Sequence, residues 1–191
     1  DKTTNEKLTT AHRFRLASVS KSYTGIAILK LVQEGKITLD GKVFGAGSIL
    51  GTDYGTAPYN ANLTTITVRQ LLQHVTGAWG ASTGGDVIDA NPAYTNKQLL
   101  DWIINTRTMP KAPGTFYDSS NVNYFILGRI VEKISGKSYI NYIKEDLGAG
   151  VGANSLDIAG KTLADKKSNE VSYSGQGSDA PYTYTIAFPR R

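Results

Sequence analysis

From Ser18 to Glu34 the chain reads SVSKSYTGIAILKLVQE, a run with no proline in which every residue is compatible with helix. Ser18 and Lys21 stand three apart, so one helical turn brings a hydroxyl and an amine to the same face at the helix start. Beyond them Ile26, Ala27, Ile28, Leu29, Leu31 and Val32 leave little polar face. A helix that is apolar nearly all round belongs inside a protein. The expectation is therefore a buried helix with a lysine in its first turn, entered from Phe14-Arg15-Leu16 and closed by Gly35 as a left-handed cap. Every other segment has to pack around that element.

The chain has 191 residues, enough for one sizeable core. Twenty-one Lys and Arg against 16 Asp and Glu give a net charge of +5. The excess is dispersed, with short clusters at Lys166-Lys167 and Arg190-Arg191, which reads as solvated surface and not as a nucleic-acid groove. Cysteine is absent, which removes disulfides, thiolate metal sites and a cysteine nucleophile. No run of apolar residues is long enough to cross a membrane as a helix. Asn62-Leu63-Thr64 matches a glycosylation sequon, a match that chance easily supplies.

Several later segments carry their own start and stop signals. A run rich in Gly, Pro, Asn and Tyr from Gly41 to Thr65 predicts a long ordered loop. Thr67-x-x-Gln70 has capping-box spacing and opens a helix expected to run through Val75 and stop at Gly77. Thr95-x-x-Gln98 repeats the signal for a helix that ends before Pro110. After Phe116-Tyr117-Asp118-Ser119-Ser120-Asn121, the apolar positions Val122, Ile126, Leu127, Ile130, Val131 and Ile134 have helical period, and Gly136 stops them. Ser138 to Leu147 predicts a short amphipathic helix closed by Gly148 and Gly150. Val171-Ser172-Tyr173 and Tyr182 to Phe188 have the composition of strands.

Three patterns compete for chemistry. Ser18-x-x-Lys21 places a nucleophile beside a base at a helix N-terminus, whose backbone N–H groups favour a developing oxyanion. Lys21 serves as that base only if burial lowers its pKa towards neutrality. Gly80-Ala81-Ser82-Thr83-Gly84 matches a nucleophile elbow, but it lacks the preceding strand and reads as loop. Gly136-Lys137-Ser138 and Gly160-Lys161-Thr162 end like P-loops without the first glycine, and Gly148-Ala149-Gly150-Val151-Gly152 has the wrong spacing for a dinucleotide fingerprint. His12 and His74 do not form a metal-ligand pair, and His74 reads as a structural side chain near a helix end.

Phe14-Arg15-Leu16-Ala17-Ser18-Val19-Ser20-Lys21, Leu31 to Lys36, Ile66 to Gly77, and Pro113-Gly114-Thr115 with Ser120 to Ile130 stand in an order that resembles serine β-lactamases and penicillin-binding-protein-like hydrolases, closest to the class C-related branch. The resemblance implies that Ser18 is the nucleophile and Lys21 the base. The family's second element is Tyr-x-Asn in that branch and Ser-x-Asn in much of the wider family. Aligned on Asn121, this chain has Ser119 at the first position, so Ser119 would relay a proton and Asn121 would clamp the substrate carbonyl or Lys21. The alternative is that Asp118, Ser119 and Ser120 only cap the following helix. Tyr117 is a second candidate hydroxyl.

A third family element, Lys-Thr-Gly or a related triplet on a strand, has no counterpart after Asn121, and only 17 residues precede Ser18. The expected fold is therefore mainly α, being the helical domain of the β-lactamase/transpeptidase-like α+β fold with a buried central helix, long loops and a few short strands. Residues 1–191 are expected to form one incomplete domain, helical over about 18–150 with an irregular or strand-like tail over 151–191. Most of the antiparallel sheet would lie elsewhere on the same parent chain or on a second chain. The implied activity is acyl-enzyme hydrolysis of an amide or ester, namely a β-lactam, a D-amino-acid peptide or a small ester. It needs no metal or cofactor, and the family suggests a periplasmic or secreted location. Half an oxyanion hole costs roughly 2.7–4 kcal/mol, so the isolated chain is expected to turn over poorly. The alternative function is a non-catalytic binding protein on the same fold.

Overall fold

A computed structural model of the chain describes residues 5–85, 87–151, 155–160 and 163–172. Helix α1 spans Ser20–Gln33, preceded by a 3-10 turn over Ala17–Val19 and followed by Gly35 in the left-handed region at φ 70°. Ser18 thus lies in the lead-in turn, two residues ahead of the helix that was expected to begin there. Helix α2 is Val68–Leu72 and α3 is Asn96–Thr106, and each opens on a complete capping box, Thr67 with Gln70 and Thr95 with Gln98. Helix α4, Asn121–Ser135, is capped by the Ser120 side chain, which accepts from Val122 N–H, and ends at Gly136 with φ 70°.

Helix α4 is the centre of the packing, with α1 and α2 both laid against it. Val122, Phe125, Ile126, Leu127, Ile130 and Val131 are all fully buried. Each such side chain contributes roughly 1.5–3 kcal/mol by leaving water. The apolar stripe Leu99, Leu100 and Ile103 of α3 joins the same core. Thr24 of α1 shares a 2.7 Å hydrogen bond with Tyr139 Oη in the interior, and burial pushes the Tyr139 phenol up to about 12.

Helix α1 is only half enclosed, contrary to the expectation of a wholly buried helix. Thr24, Ala27, Ile28 and Leu31 face inward. Ile26 and Leu29 keep 55% and 52% of their surface exposed, and Val19 of the lead-in turn keeps 59%. Helix α4 covers one face of α1, and the described residues supply no second layer for the other. Spacing fixes which residues share a stripe, but it does not say which elements are present to cover it.

Other departures are local. Helix α2 stops at Leu72 and does not run to Val75, because His74 turns into the left-handed region at φ 58°. After α5 at Tyr139–Asn141 the chain widens into a π-helix over Tyr142–Gly148, then a 3-10 turn over Ala149–Val151. The wider turn keeps Tyr142 and Ile143 buried beside Tyr139 while Leu147 still packs on the core. Among the described residues there is no strand, only two isolated bridges, Lys42 with Thr67 and Arg13 with Glu170. The second bridge holds the start and end of the described chain together, reinforced by the Arg15–Glu170 ion pair and by Arg15 Nη1 donating 2.7 Å to Gly160 C=O. Val171 and Ser172 form no strand, and Tyr173 and residues 182–188 lie outside the described residues.

Candidate active site

The first turn of α1 and the first turn of α4 meet at Lys21. Its Nζ donates to Ser18 Oγ at 3.1 Å and to Asn121 Oδ1 at 2.6 Å. Ser18 is exposed and Lys21 half-buried, so the hydroxyl opens to solvent while the ammonium is held from the protein side. The ring of Tyr124, one turn along α4 from Asn121, lies 5.8 Å from Lys21 Nζ. Its hydroxyl is tied back to Leu72 C=O at 3.1 Å. Residues 100 positions apart in sequence are joined by one amine. A serine oxygen thus lies within hydrogen-bond reach of an amine that an amide oxygen also holds.

Asn121 is placed by the segment that precedes it. Asp118 N–H donates to His74 C=O at 2.9 Å, and Ser120 N–H donates to His74 Nδ1 at 3.1 Å. Ser119 is therefore bracketed by two bonds to one residue, with its own side chain exposed. Burial, and after it the positive charge of Lys21, hold the His74 imidazole below its ordinary pKa. The Asp118 side chain holds a loop, its Oδ2 accepting from Ser82 N–H at 2.9 Å and from Thr83 Oγ1 at 2.8 Å. Of the three residues that could cap α4, only Ser120 does so with its side chain.

The β-lactamase family model matches residues 1–180. The chain belongs to the β-lactamase family. It is 32% identical to Protein flp of Staphylococcus aureus over 133 residues, covering 69% of this chain and 25% of that protein. It is 26% identical to penicillin-binding protein 4* of Bacillus subtilis over 177 residues, covering 90% and 36%. The D-amino acid amidase from Ochrobactrum anthropi SV3 superposes with a TM-score of 0.61 at 25% identity, over 79% of this chain and 40% of that one. The chain thus spans between a quarter and about a third of the length of these two curated relatives. Its fold is a mainly helical part of the β-lactamase/transpeptidase-like fold, and the family is one of serine hydrolases.

Within this β-lactamase-family framework several of the competing motifs have structural explanations, while Gly152, Lys161 and Thr162 lie outside the described residues. Ser82 of the elbow-like pattern sits in an exposed turn that wraps the Asp118 carboxylate, closed by Gly85 N–H to Gly80 C=O at 2.8 Å. Gly136 and Ser138 end one helix and start the next. Asn62 of the sequon points its amide at the carbonyls of Met109 and Lys111. Tyr117 is 66% exposed and meets the edge of the His74 ring at 6.3 Å. No three metal-ligating side chains cluster among the described residues, and no described helix is long and apolar enough to cross a membrane. Two residues that shape the site, Asp118 and His74, do not stand out for that part in the sequence. For Asp118 the available signal is a carboxylate between two aromatics and two serines, one of which caps α4. For His74 there is none, because its partners lie more than 40 residues away.

Proposed function

We propose that this chain carries the acylation centre of a serine hydrolase of the β-lactamase family, acting on an amide or ester such as a β-lactam, a D-amino-acid peptide or a small ester. The observation behind the proposal is the double contact of Lys21 Nζ with Ser18 Oγ and Asn121 Oδ1. Once the Lys21 ammonium has given a proton to solvent, its lone pair takes the Ser18 proton as Oγ bonds to the substrate carbonyl carbon. The tetrahedral adduct collapses by breaking the bond to the leaving amine or alkoxide, which departs with a proton relayed from Lys21. Ser119 is the relay hydroxyl on the exposed side, and Asn121 orients Lys21 and the substrate carbonyl. Water then attacks the Ser18 ester, the acid is released and the serine regains its hydrogen.

Ser119 standing where the nearest branch has tyrosine favours a second reading, a β-lactamase-like protein that binds such ligands without turnover. One experiment separates the two. The full-length protein is incubated with a labelled penicillin and, separately, a fluorophosphonate, and adducts are mapped by mass spectrometry. Modification of Ser18, lost in Ser18→Ala, supports the hydrolase. Binding of penicillin without an adduct from either probe supports the binder.

A further inference from the structure

One residue beside the site has more contacts than a helix-end side chain requires. His74 accepts two backbone N–H bonds on either side of Ser119, through its carbonyl from Asp118 and through Nδ1 from Ser120. A backbone N–H only donates, so Nδ1 carries no proton and the neutral ring has its hydrogen on Nε2. Asn123 agrees with this: Thr76 Oγ1 donates to its Oδ1 at 3.0 Å, which leaves its Nδ2 facing His74 Nδ1 at 3.4 Å. The ring has Tyr124 tilted against it at 5.0 Å and Tyr117 in an edge contact at 6.3 Å. The charged group facing it is Lys21 of α1, whose positive charge opposes a second one on the imidazole. The left-handed φ of 58° lets carbonyl and ring reach the same segment, a conformation costly for most residues and open to Gly and Asn.

We infer that His74 is a positioning residue: its Nδ1 fixes the Ser120 N–H, which fixes the first turn of α4 and so the Asn121 oxygen on Lys21. The inference deepens the hydrolase reading and rests on it for its effect on rate, but the clamp has a readout of its own. Two variants isolate the acceptor. His74→Asn accepts the same φ and offers Oδ1 near the place of Nδ1, whereas His74→Gly accepts the φ with no acceptor at all. In amide hydrogen exchange on the full-length protein, Ser120 in His74→Gly is expected to exchange at least about tenfold faster than wild type, with His74→Asn recovering most of the protection. The Asp118 amide, bound to the backbone carbonyl of residue 74, stays protected in both and serves as the internal control. Long-range proton–nitrogen spectra of the wild type at neutral pH should show the His74 hydrogen on Nε2.

In the full-length protein, the rate of Ser18 labelling should fall about tenfold or more in His74→Gly and return towards wild type in His74→Asn. A hydrogen on Nδ1, unchanged Ser120 exchange in His74→Gly, or equal labelling by the Gly and Asn variants overturns the inference. If the wild type does not label, the hydrolase reading fails, and the exchange data still decide the clamp. Loss of protection at Asp118 together with Ser120 in both variants would mean that position 74 is only structural.

Discussion

Asp118 and Gly80 form one unit, and a double-mutant cycle measures it. The carboxylate is 7% exposed and accepts from Ser82 N–H and Thr83 Oγ1. Truncation in Asp118→Ala removes two charge-assisted bonds and leaves two donors under the loop without their acceptor, a loss of about 2–4 kcal/mol. For a domain of this size that lowers Tm by about 4–16 °C. Gly80 is needed for another reason: a Cβ there would stand 2.3 Å from Asp118 Cγ and 2.6 Å from both carboxylate oxygens. Its φ lies outside the left-handed region, so the cost of Gly80→Ala is space alone, about 1–3 kcal/mol for forced repacking. When Asp118 is already alanine, the new methyl enters the volume that the carboxylate has left. The double variant is therefore expected to fall short of the sum by at least about 1 kcal/mol in urea denaturation at constant m-value. Additivity within about 0.5 kcal/mol, or an Asp118→Ala loss below about 1 kcal/mol, would refute the idea that the 80–84 loop exists to hold this carboxylate.

Three further outcomes follow from the same geometry. Gly77→Ala should destabilise at least twice as much as Gly35→Ala, because both have positive φ but only at Gly77 would the Cβ meet a backbone oxygen, Lys111 C=O at 2.4 Å; urea midpoints check this, with Gly35→Ala expected near about 1 kcal/mol. Asn121→Ala should slow Ser18 labelling by about 10- to 100-fold through loss of the 2.6 Å bond to Lys21, and an unchanged rate would remove Asn121 from the site. His74 is held neutral in the fold by burial and by Lys21, so its folded pKa lies below the unfolded value near 6.5. Its contribution is complete above about pH 6.5 and is lost as pH falls towards the folded value, since over that window the unfolded chain takes up the proton first. Wild type should therefore lose more stability than His74→Asn between about pH 7 and pH 5, and identical pH dependence in denaturant titrations would contradict this.

What the sequence determined by itself was local. Capping boxes at Thr67 and Thr95, the left-handed stops at Gly35 and Gly136, and the period of α4 are written in neighbouring residues, and those elements formed where they were expected. Ser18 and Lys21 are three apart, so their meeting needs only a turn of helix. The contact of Lys21 with Asn121, the His74 clamp and the Asp118 cradle each join residues 35 to 100 positions apart. The resemblance offers Lys21 as one of two partners for Asn121, but no local pattern encodes the other two pairings, because they depend on how α2 and the 80–85 loop lie against the start of α4. The same limit explains α1: the spacing of its apolar residues leaves little polar face, but only the packed structure decided that Ile26 and Leu29 are left uncovered by the described residues.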